Sequence, residues 1–314
     1  MAELYKKAWV GDKLVDIGRA NLNIASSAVL YGLSVYTVFP LIAGKDGQLA
    51  AFRLQDHYAR LCDSAKIIGI DGFIGHWDFE KFLRAIGELV NANNIKRDTF
   101  VRASIHVDEI LPGTRSRGLH TVFSMFAYEA EPIVPQTGAR LKTSVWRRVP
   151  DYAIPSRAKV NGAYVNSVLA KQDALDSGYD DCIFLDAAGH VCELSAANIF
   201  MVRKGRLITP EKTADLLEGI SRRTIIEQAK KLGIKVEERT VDLTELYIAD
   251  EVFISGTSAF VAPVSEVDGR MIADGKTGPM TLRLRKLHAD LLRGADSKYI
   301  TKINPQPAKT PVTP

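Results

Sequence analysis

Cysteine is scarce in this chain. The three present, Cys62, Cys182 and Cys192, are odd in number and lack metal-ligand spacing, which argues against a disulfide framework and for a reducing compartment. Long apolar runs are missing too: no window approaches a membrane span, and Met1-Ala2-Glu3-Leu4-Tyr5-Lys6-Lys7 has no apolar core of signal-peptide length. A cytoplasmic location and no membrane partner are therefore expected. Charge of either sign is nearly balanced, since 41 Lys and Arg against 37 Asp and Glu leave a modest +4, scattered along the chain, so the basic stripe that nucleic acid requires is absent. No internal repeat is apparent. What remains is 314 residues, 46% of them hydrophobic, enough for one large or two medium domains with a real core.

The patterning alternates short strands with amphipathic helices. Residues 5 to 16 and 35 to 43 read as strands. From Arg53 the apolar positions Leu54, Tyr58, Leu61, Ala65 and Ile68 recur at three or four residues, and after Asp78, a cap, Phe79, Phe82, Leu83, Ile86, Leu89 and Val90 do the same, so two helices are expected. Residues 99 to 107 place Val101, Ala103, Ile105 and Val107 on one face and Arg102, Ser104 and His106 on the other, and 119 to 127 form a further strand. The Pro-containing stretch Tyr128 to Gly138 reads as a linker, with a boundary near residue 135. Beyond it come a strand at 140 to 147, a helix at 163 to 177 ended by Gly178, and a hairpin at 181 to 203 turning at Ala187-Ala188-Gly189. A helix at 221 to 232, strands at 251 to 255 and 260 to 267, and a helix at 278 to 292 follow. The segment 296–314, with its prolines and no apolar periodicity, reads as a disordered tail.

Lys159 lies in a loop between a strand and a helix, just ahead of Asn161-Gly162. A lone lysine is ordinarily a solvated cation, its pKa near ~10.4 keeping it protonated. Taken singly, Tyr164 is a helix core residue and Glu193 a strand-edge carboxylate. Together they supply three residue types that pyridoxal phosphate needs: an amine for its Schiff base, a donor to its phenolate oxygen, and a carboxylate for its ring nitrogen. Two turns suit a phosphate. Gly219-Ile220-Ser221 opens a helix, where free amides and the dipole favour an anion, and Ser255-Gly256-Thr257-Ser258 follows a strand as a small-residue nest. Arg60, on the first long helix, can give the same anion a fork-like contact or stay solvated. No metal site is indicated.

With Lys159 in Ala-Lys-Val-Asn-Gly-Ala-Tyr-Val-Asn-Ser, Glu193 ahead of Asn198-Ile199-Phe200, the run Leu217-Glu218-Gly219-Ile220-Ser221-Arg222, and Ala249-Asp250-Glu251-Val252-Phe253-Ile254-Ser255-Gly256-Thr257-Ser258-Ala259, the chain resembles the branched-chain aminotransferase family of class IV pyridoxal-phosphate enzymes. The resemblance implies an α/β (α+β) fold of two domains, a small amino-terminal α/β domain at 1–134 and a larger cofactor-binding domain with a barrel-like β core at 135–295, assembled as a homodimer or a higher oligomer with the active site between domains. It implies that Lys159 carries the cofactor and moves the substrate's α-proton, that Glu193 partners the ring nitrogen and Tyr164 the ring oxygen, and that Leu217 lies on the ring face. Arg60, Gly219, Ile220, Ser221, Gly256 and Thr257 are implied as the phosphate cradle. Thr257 and Ser258 are implied to receive the substrate carboxylate, and Tyr31, Tyr36, Val38, Phe100 and Arg102 to line the substrate pocket. The partners implied are a small-molecule amino donor and a 2-oxo acid acceptor.

Departures from the family pattern fall on the substrate side. Where an aromatic residue is followed by Glu-Gly and a basic residue, this chain has Tyr36-Thr37-Val38-Phe39-Pro40, and the acidic residue ahead of Asn198 is lost as well, Ala197 standing there. Phe100 replaces a tyrosine two positions before Arg102. Arg115 and Arg117 are read either as a mobile carboxylate clamp or as exposed loop residues. The leading reading is a transaminase for branched-chain or other apolar amino acids working through a Lys159 Schiff base. The alternatives are a D-amino acid or (R)-amine transaminase, an aminodeoxychorismate lyase, and a non-catalytic binding scaffold.

Overall fold

The computed structural model describes residues 2–44 and 47–304, and these divide into two compact units. Residues 305–314 of the expected tail, and the centre of the turn between Gly44 and Gly47, lie outside the described residues.

The first unit comprises Met1–Glu131, Ala158–Gly162 and the segment from Leu291. Its elements are β1 (Glu3–Val10), β2 (Lys13–Asp16), α1 (Ser27–Leu30), β3 (Ser34–Ala43), β4 (Leu49–Phe52), α2 (Leu54–Ile67), α3 (Phe79–Ala92), β5 (Thr99–Val107) and β6 (Thr121–Glu129). They form a seven-stranded antiparallel sheet in the order Ile300–Lys302, β4, β3, β5, β6, β1, β2. Asp78 caps α3, its carboxylate accepting from the Lys81 amide at 2.7 Å. The apolar stripe of α3 meets the inner face of the sheet, where Phe39 lies edge-on to Phe82 at 6.0 Å, Phe82 packs on Phe123, and Trp77 lies 4.3 Å from Phe123.

Two expectations are corrected in this unit. Residues 158–162, expected inside the larger domain, group with the amino-terminal unit because they pair with β3. The tail expected from 296 is ordered through its first residues: Ile300–Lys302 pairs antiparallel with β4, and Ile303 is fully buried. Three residues are too few for an alternation of period two to repeat.

β3 also explains how a proline sits inside a sheet. The Tyr36 amide and the Ser34 carbonyl both point toward residues 159–161, so the even-numbered positions of β3 face that side. β4 takes up the same edge only at Leu41–Ala43. Pro40 faces the gap between these two stretches, where no ladder bond is lost.

The second unit comprises Pro132–Arg157 and Ala163–Asp290. Its elements are β7 (Ala139–Thr143), α4 (Tyr164–Asp176), β8 (Asp181–Leu185), β9 (Val191–Leu194), β10 (Asn198–Arg203), β11 (Arg206–Thr209), α5 (Ile220–Lys231), β12 (Val236–Glu238), α6 (Leu243–Tyr247), β13 (Glu251–Gly256), β14 (Phe260–Val267), β15 (Arg270–Met271) and α7 (Pro279–Leu292). The sheet order is β12, β11, β10, β13, β14, β7, β8, β9, with β15 on β14. Between β10 and β9 lie five strand spacings, about 24 Å if the sheet were flat. Only Ser195–Ala197 joins them in the chain, a link that reaches no more than ~14 Å. The sheet must therefore curl into a half-barrel, and Leu194 N–H bonds Ala197 C=O at 2.8 Å where it comes round. Both faces are apolar: Ile199, Met201, Val252 and Ile254 fill the inside, while Phe200 and Phe253, stacked at 5.0 Å, pack outward with Ile225 and Ala229 of α5 and Leu284 of α7. Two-sided burial accounts for the near-continuous apolar runs in these strands.

Tyr299, 7% exposed, packs on Phe52 at 5.8 Å and accepts the Arg53 amide on its carbonyl at 2.6 Å. Replacing Tyr299 with Ala is expected to cost about 3 kcal/mol of stability; equilibrium urea unfolding measures it, and a midpoint equal to the parent's would show that this segment is not part of the cooperative unit.

Candidate active site

In the first unit, the segment around Lys159 forms a one-bridge strand on the free edge of β3. Val35 and Val160 pair antiparallel, Tyr36 N–H donates to Lys159 C=O at 3.0 Å, and Asn161 N–H donates to Ser34 C=O at 2.9 Å. The Lys159 amide is held by Ser64 Oγ of α2 at 3.0 Å. Gly162 and Gly32 pack backbone to backbone. A Cβ on Gly32, whose φ is +64, would lie 2.8 Å from Gly162 Cα. Lys159 Nζ stands 4.8 Å from the centroid of the Tyr36 ring.

The same ring carries a second cation. Arg102 lies opposite Val38 in the β3–β5 register, and its guanidinium stacks 3.6 Å from the Tyr36 centroid. Its Nη2 donates to Asn161 Oδ1 at 2.5 Å, and Asn161 Nδ2 donates to Ser34 Oγ at 2.5 Å. Tyr36, Val38, Phe100, Arg102 and His106 thus share one sheet face, Phe100 packing against Tyr128 at 5.7 Å. His106 pairs with Ser124 Oγ at 2.8 Å, and burial, followed by the Arg102 charge, pushes its imidazole down to about 4. On the opposite face, Arg60 donates to Thr37 Oγ1 at 3.4 Å, and that oxygen also pairs with His57 Nδ1 at 2.9 Å.

In the second unit, Glu193 on β9 is 6% exposed. Its Oε1 accepts from Arg148 Nε at 3.0 Å, and its Oε2 accepts from Asn198 Nδ2 at 3.2 Å and the Leu217 amide at 3.1 Å. Asn198 also donates to Leu217 C=O at 3.0 Å. Asn166, two residues into α4 from Tyr164, receives Arg148 Nη1 at 3.4 Å and the Val149 amide at 3.2 Å. Arg148 was not singled out from the sequence, and Asn198 and Asn166 stood there only inside motifs, with no role given to them. Arg148 and Glu193 are 45 positions apart, and only the fold pairs them.

The two small-residue turns are also in this unit. Gly219 caps α5 with no side-chain bond, and the helical ladder starts with Arg223 N–H to Gly219 C=O at 2.9 Å, so the amides of Ile220, Ser221 and Arg222 precede it. A Cβ on Gly219 would run into Asn198 Oδ1. At the end of β13, opposite Asn198, Ser255 is fully buried and its Oγ has no hydrogen-bond partner among the described residues. Gly256 begins the turn through Thr257 and Ser258 into β14, and a Cβ there would crowd Ala196 O at 3.3 Å. An orphaned hydroxyl, a helix start without a side-chain cap and two glycines at crowded positions fit a phosphorylated cofactor.

The remaining sequence candidates are placed as follows. Tyr31, 50% exposed, ends α1 next to Gly32. Arg115 and Arg117 are exposed, in a loop tied down by the Gly118 amide on both oxygens of Asp71 at 3.1 and 3.2 Å. Among the described residues, no group of His, Cys, Asp and Glu is arranged to hold a metal ion.

Residues 35–267 match the family model for class IV amino-transferases. The chain is 34% identical over 301 residues to a probable branched-chain-amino-acid aminotransferase of Aquifex aeolicus, covering 95% of this chain and 96% of that protein. It superposes on the crystal structure of branched-chain aminotransferase from Thermoproteus uzoniensis with norvaline with a TM-score of 0.90 at 35% identity, over 95% of this chain and 99% of that one. The branched-chain amino acid aminotransferase from Thermobaculum terrenum, in its PLP holo-form, is similar at a TM-score of 0.87 and 29% identity, over 96% and 99% of the two chains.

Two tests follow from this geometry. Gly219→Ala should displace Asn198 and with it the donors on Glu193, lowering pyridoxal-phosphate affinity about tenfold or more, as overpacking of a close contact costs about 1–3 kcal/mol; fluorescence titration of the apoprotein reads it, and unchanged affinity would dissociate Asn198 from the cofactor site. His106 and His288, each held near 4 by burial, lie below their ordinary 6.5, so the fold favours their neutral forms. That stability is complete above about pH 6.5 and drains as pH falls toward 4. The urea midpoint should drop over that window, and His106→Gln should flatten the drop; an identical pH dependence in the variant would remove His106 as a source.

Proposed function

Because the chain belongs to the class IV aminotransferases, which depend on pyridoxal phosphate, we propose that it moves the amino group between a branched-chain or other apolar amino acid and a 2-oxo acid, with Lys159 as the residue that carries the cofactor. When bound, pyridoxal phosphate supplies an electron sink for the bonds at the substrate's α-carbon. Lys159 Nζ takes the α-proton and returns it, a task suited to an amine whose backbone is fixed at both its amide and its carbonyl. Glu193 holds the ring nitrogen in its protonated form, and Arg148, Asn198 and the Leu217 amide keep the carboxylate aimed. With the cofactor bound, Tyr164 would be the donor to the ring oxygen and Leu217 the apolar residue beside the ring. Arg60, the amides at Gly219, Ile220 and Ser221, and Gly256 with Thr257 bind the phosphate. Tyr31, Tyr36, Val38 and Phe100 wall the side-chain pocket, and Arg102 with Thr257 and Ser258 takes substrate carboxylates.

The observation that supports this most is the buried Glu193. A carboxylate 6% exposed, with an arginine on one oxygen and two donors on the other, is costly to build and is suited to a cationic ring nitrogen. The substrate class draws support from the relatives, named as branched-chain aminotransferases, one of them with norvaline bound. A second reading, a D-amino acid or (R)-amine donor, is favoured by the rewritten strand from Tyr36 to Pro40, where Val38 and Pro40 stand in place of a glycine and a basic residue.

The chain is further proposed to work as a homodimer. Val165, Val168 and Leu169 on one side of α4 are 64%, 65% and 41% exposed, an apolar patch that a second copy would cover. A cytoplasmic setting suits its three free thiols.

Adding L-leucine, L-valine, L-glutamate, D-alanine and (R)-1-phenylethylamine separately to the holoenzyme tests the donor. The visible cofactor band should bleach with the L-acids; a response to the D-acid or the amine alone would overturn the L-donor reading. Lys159→Ala should lose the band and turnover together, and a variant that keeps both would remove Lys159 from its role.

A further inference from the structure

Among the described residues, Arg102 is a cation with no paired anion. Among the described residues no Asp or Glu pairs with it; its partners are the Tyr36 ring at 3.6 Å and the Asn161 amide oxygen at 2.5 Å. Both are neutral, so they fix the guanidinium in place without cancelling its charge. The stacking holds the plane flat and Asn161 occupies a single N–H, leaving further in-plane donors of the fork for a bidentate anion. Asn161 is itself immobilised. Its Nδ2 donates to Ser34 Oγ at 2.5 Å and its amide to Ser34 C=O at 2.9 Å, two residues from Lys159 on the same docked strand.

We propose that Asn161 is the specificity-determining positioning residue of this enzyme: it locks Arg102 at a fixed offset from Lys159, so that the guanidinium takes a substrate carboxylate only at the separation the docked strand dictates. This rests on the transaminase reading above. An asparagine does what neither an aspartate nor an alanine would do there. Aspartate would orient the guanidinium equally well but neutralise it, competing directly with the substrate's carboxylate. Alanine would leave the charge intact but free the side chain to rotate off the ring, spreading the cation over several positions.

The experiment compares Asn161→Asp, Asn161→Ala and Ser34→Ala holoenzymes with the parent. Two readouts are used: the dissociation constant of 4-methylpentanoate, an unreactive branched carboxylate, and the separate kcat and KM for L-leucine. The Asp variant is expected to weaken 4-methylpentanoate and raise KM about tenfold, the Ala variant about threefold, and Ser34→Ala by less, with kcat falling less than KM rises in every case. Retention of the visible cofactor band in each variant shows that the protein has folded and that Lys159 is seated. Bands intact with both constants within about twofold of the parent would overturn the proposal, as would a fall in kcat at unchanged KM, since Asn161 would then only prop the lysine strand. A parent enzyme that forms no visible band, or transfers no amino group from any donor, would instead overturn the transaminase reading.

Discussion

Backbone pairing between residues 159–161 and the free edge of β3 is the constraint on which the role proposed for Lys159 rests. A sheet edge leaves amides and carbonyls that must find partners, and an edge inside a folded unit cannot leave them to water. β4 is too short to serve the whole of β3, covering Leu41–Ala43 only. The chain fills the rest by sending Ala158–Gly162 back into the first unit between two stretches of the second. Two backbone bonds, each worth about 1 kcal/mol net, then fix the strand that carries the lysine. Gly32 and Gly162 allow the approach, since neither has a side chain to hold the two backbones apart.

The second unit solves a different problem by the same economy of connection. Its sheet curls because β9 and β10, distant in strand order, are joined by three residues. That seam is where Glu193 and Asn198 stand, so the carboxylate and the amide that orients it are brought together by the closure of the sheet. Burying an ion pair such as Glu193 with Arg148 gains little stability, because the desolvation of both groups offsets their attraction. Its retention here is explained by orientation: three donors on two oxygens fix the carboxylate plane as no single contact would. The glycine at 219 belongs to the same arrangement, since Asn198 already fills the space a side chain would need.

Periodic segments were legible in the sequence. The alternation from Thr99 to Val107 marked β5 and the face that carries Arg102, and the three-four spacing after Asp78 marked α3 together with its cap. Elements of no more than two strand periods were not. β4, β12 and Ile300–Lys302 have four residues or fewer, and nothing local separates them from loop. The same limit hid the docking of Lys159, which rests on one bridge and two flanking bonds. Residue types around the lysine pointed to its chemistry, but Arg148, Asn161 and Asn198 act through partners that are distant in sequence or attached to another strand, and an arginine or asparagine carries no pattern that announces such a partner. The clues available were indirect: an asparagine beside Gly162, and a run of buried polar residues, Glu193, Ser195 and Asn198, inside an otherwise apolar hairpin.

The way each part is held also explains where the sequence departs from its family. Lys159 is tied through main-chain atoms of Ser34 and Tyr36, which any residue at 37, 38 or 40 leaves untouched. Pro40 in particular falls where the edge of β3 is unpaired, so the exchange of a basic residue for a proline costs no ladder bond and does not move the lysine. The face proposed to meet the substrate is built differently. It consists of side chains standing across from one another on β3 and β5, Tyr36 with Ser104, Val38 with Arg102 and Pro40 with Phe100. A change at one of these positions alters the pocket directly while the backbone that holds the lysine stays in register. With Lys159 fixed by backbone and this face built from side chains, positions 36 to 40 can change without moving the lysine, and the rewritten stretch from Tyr36 to Pro40 lies on the side of that division where change is cheap.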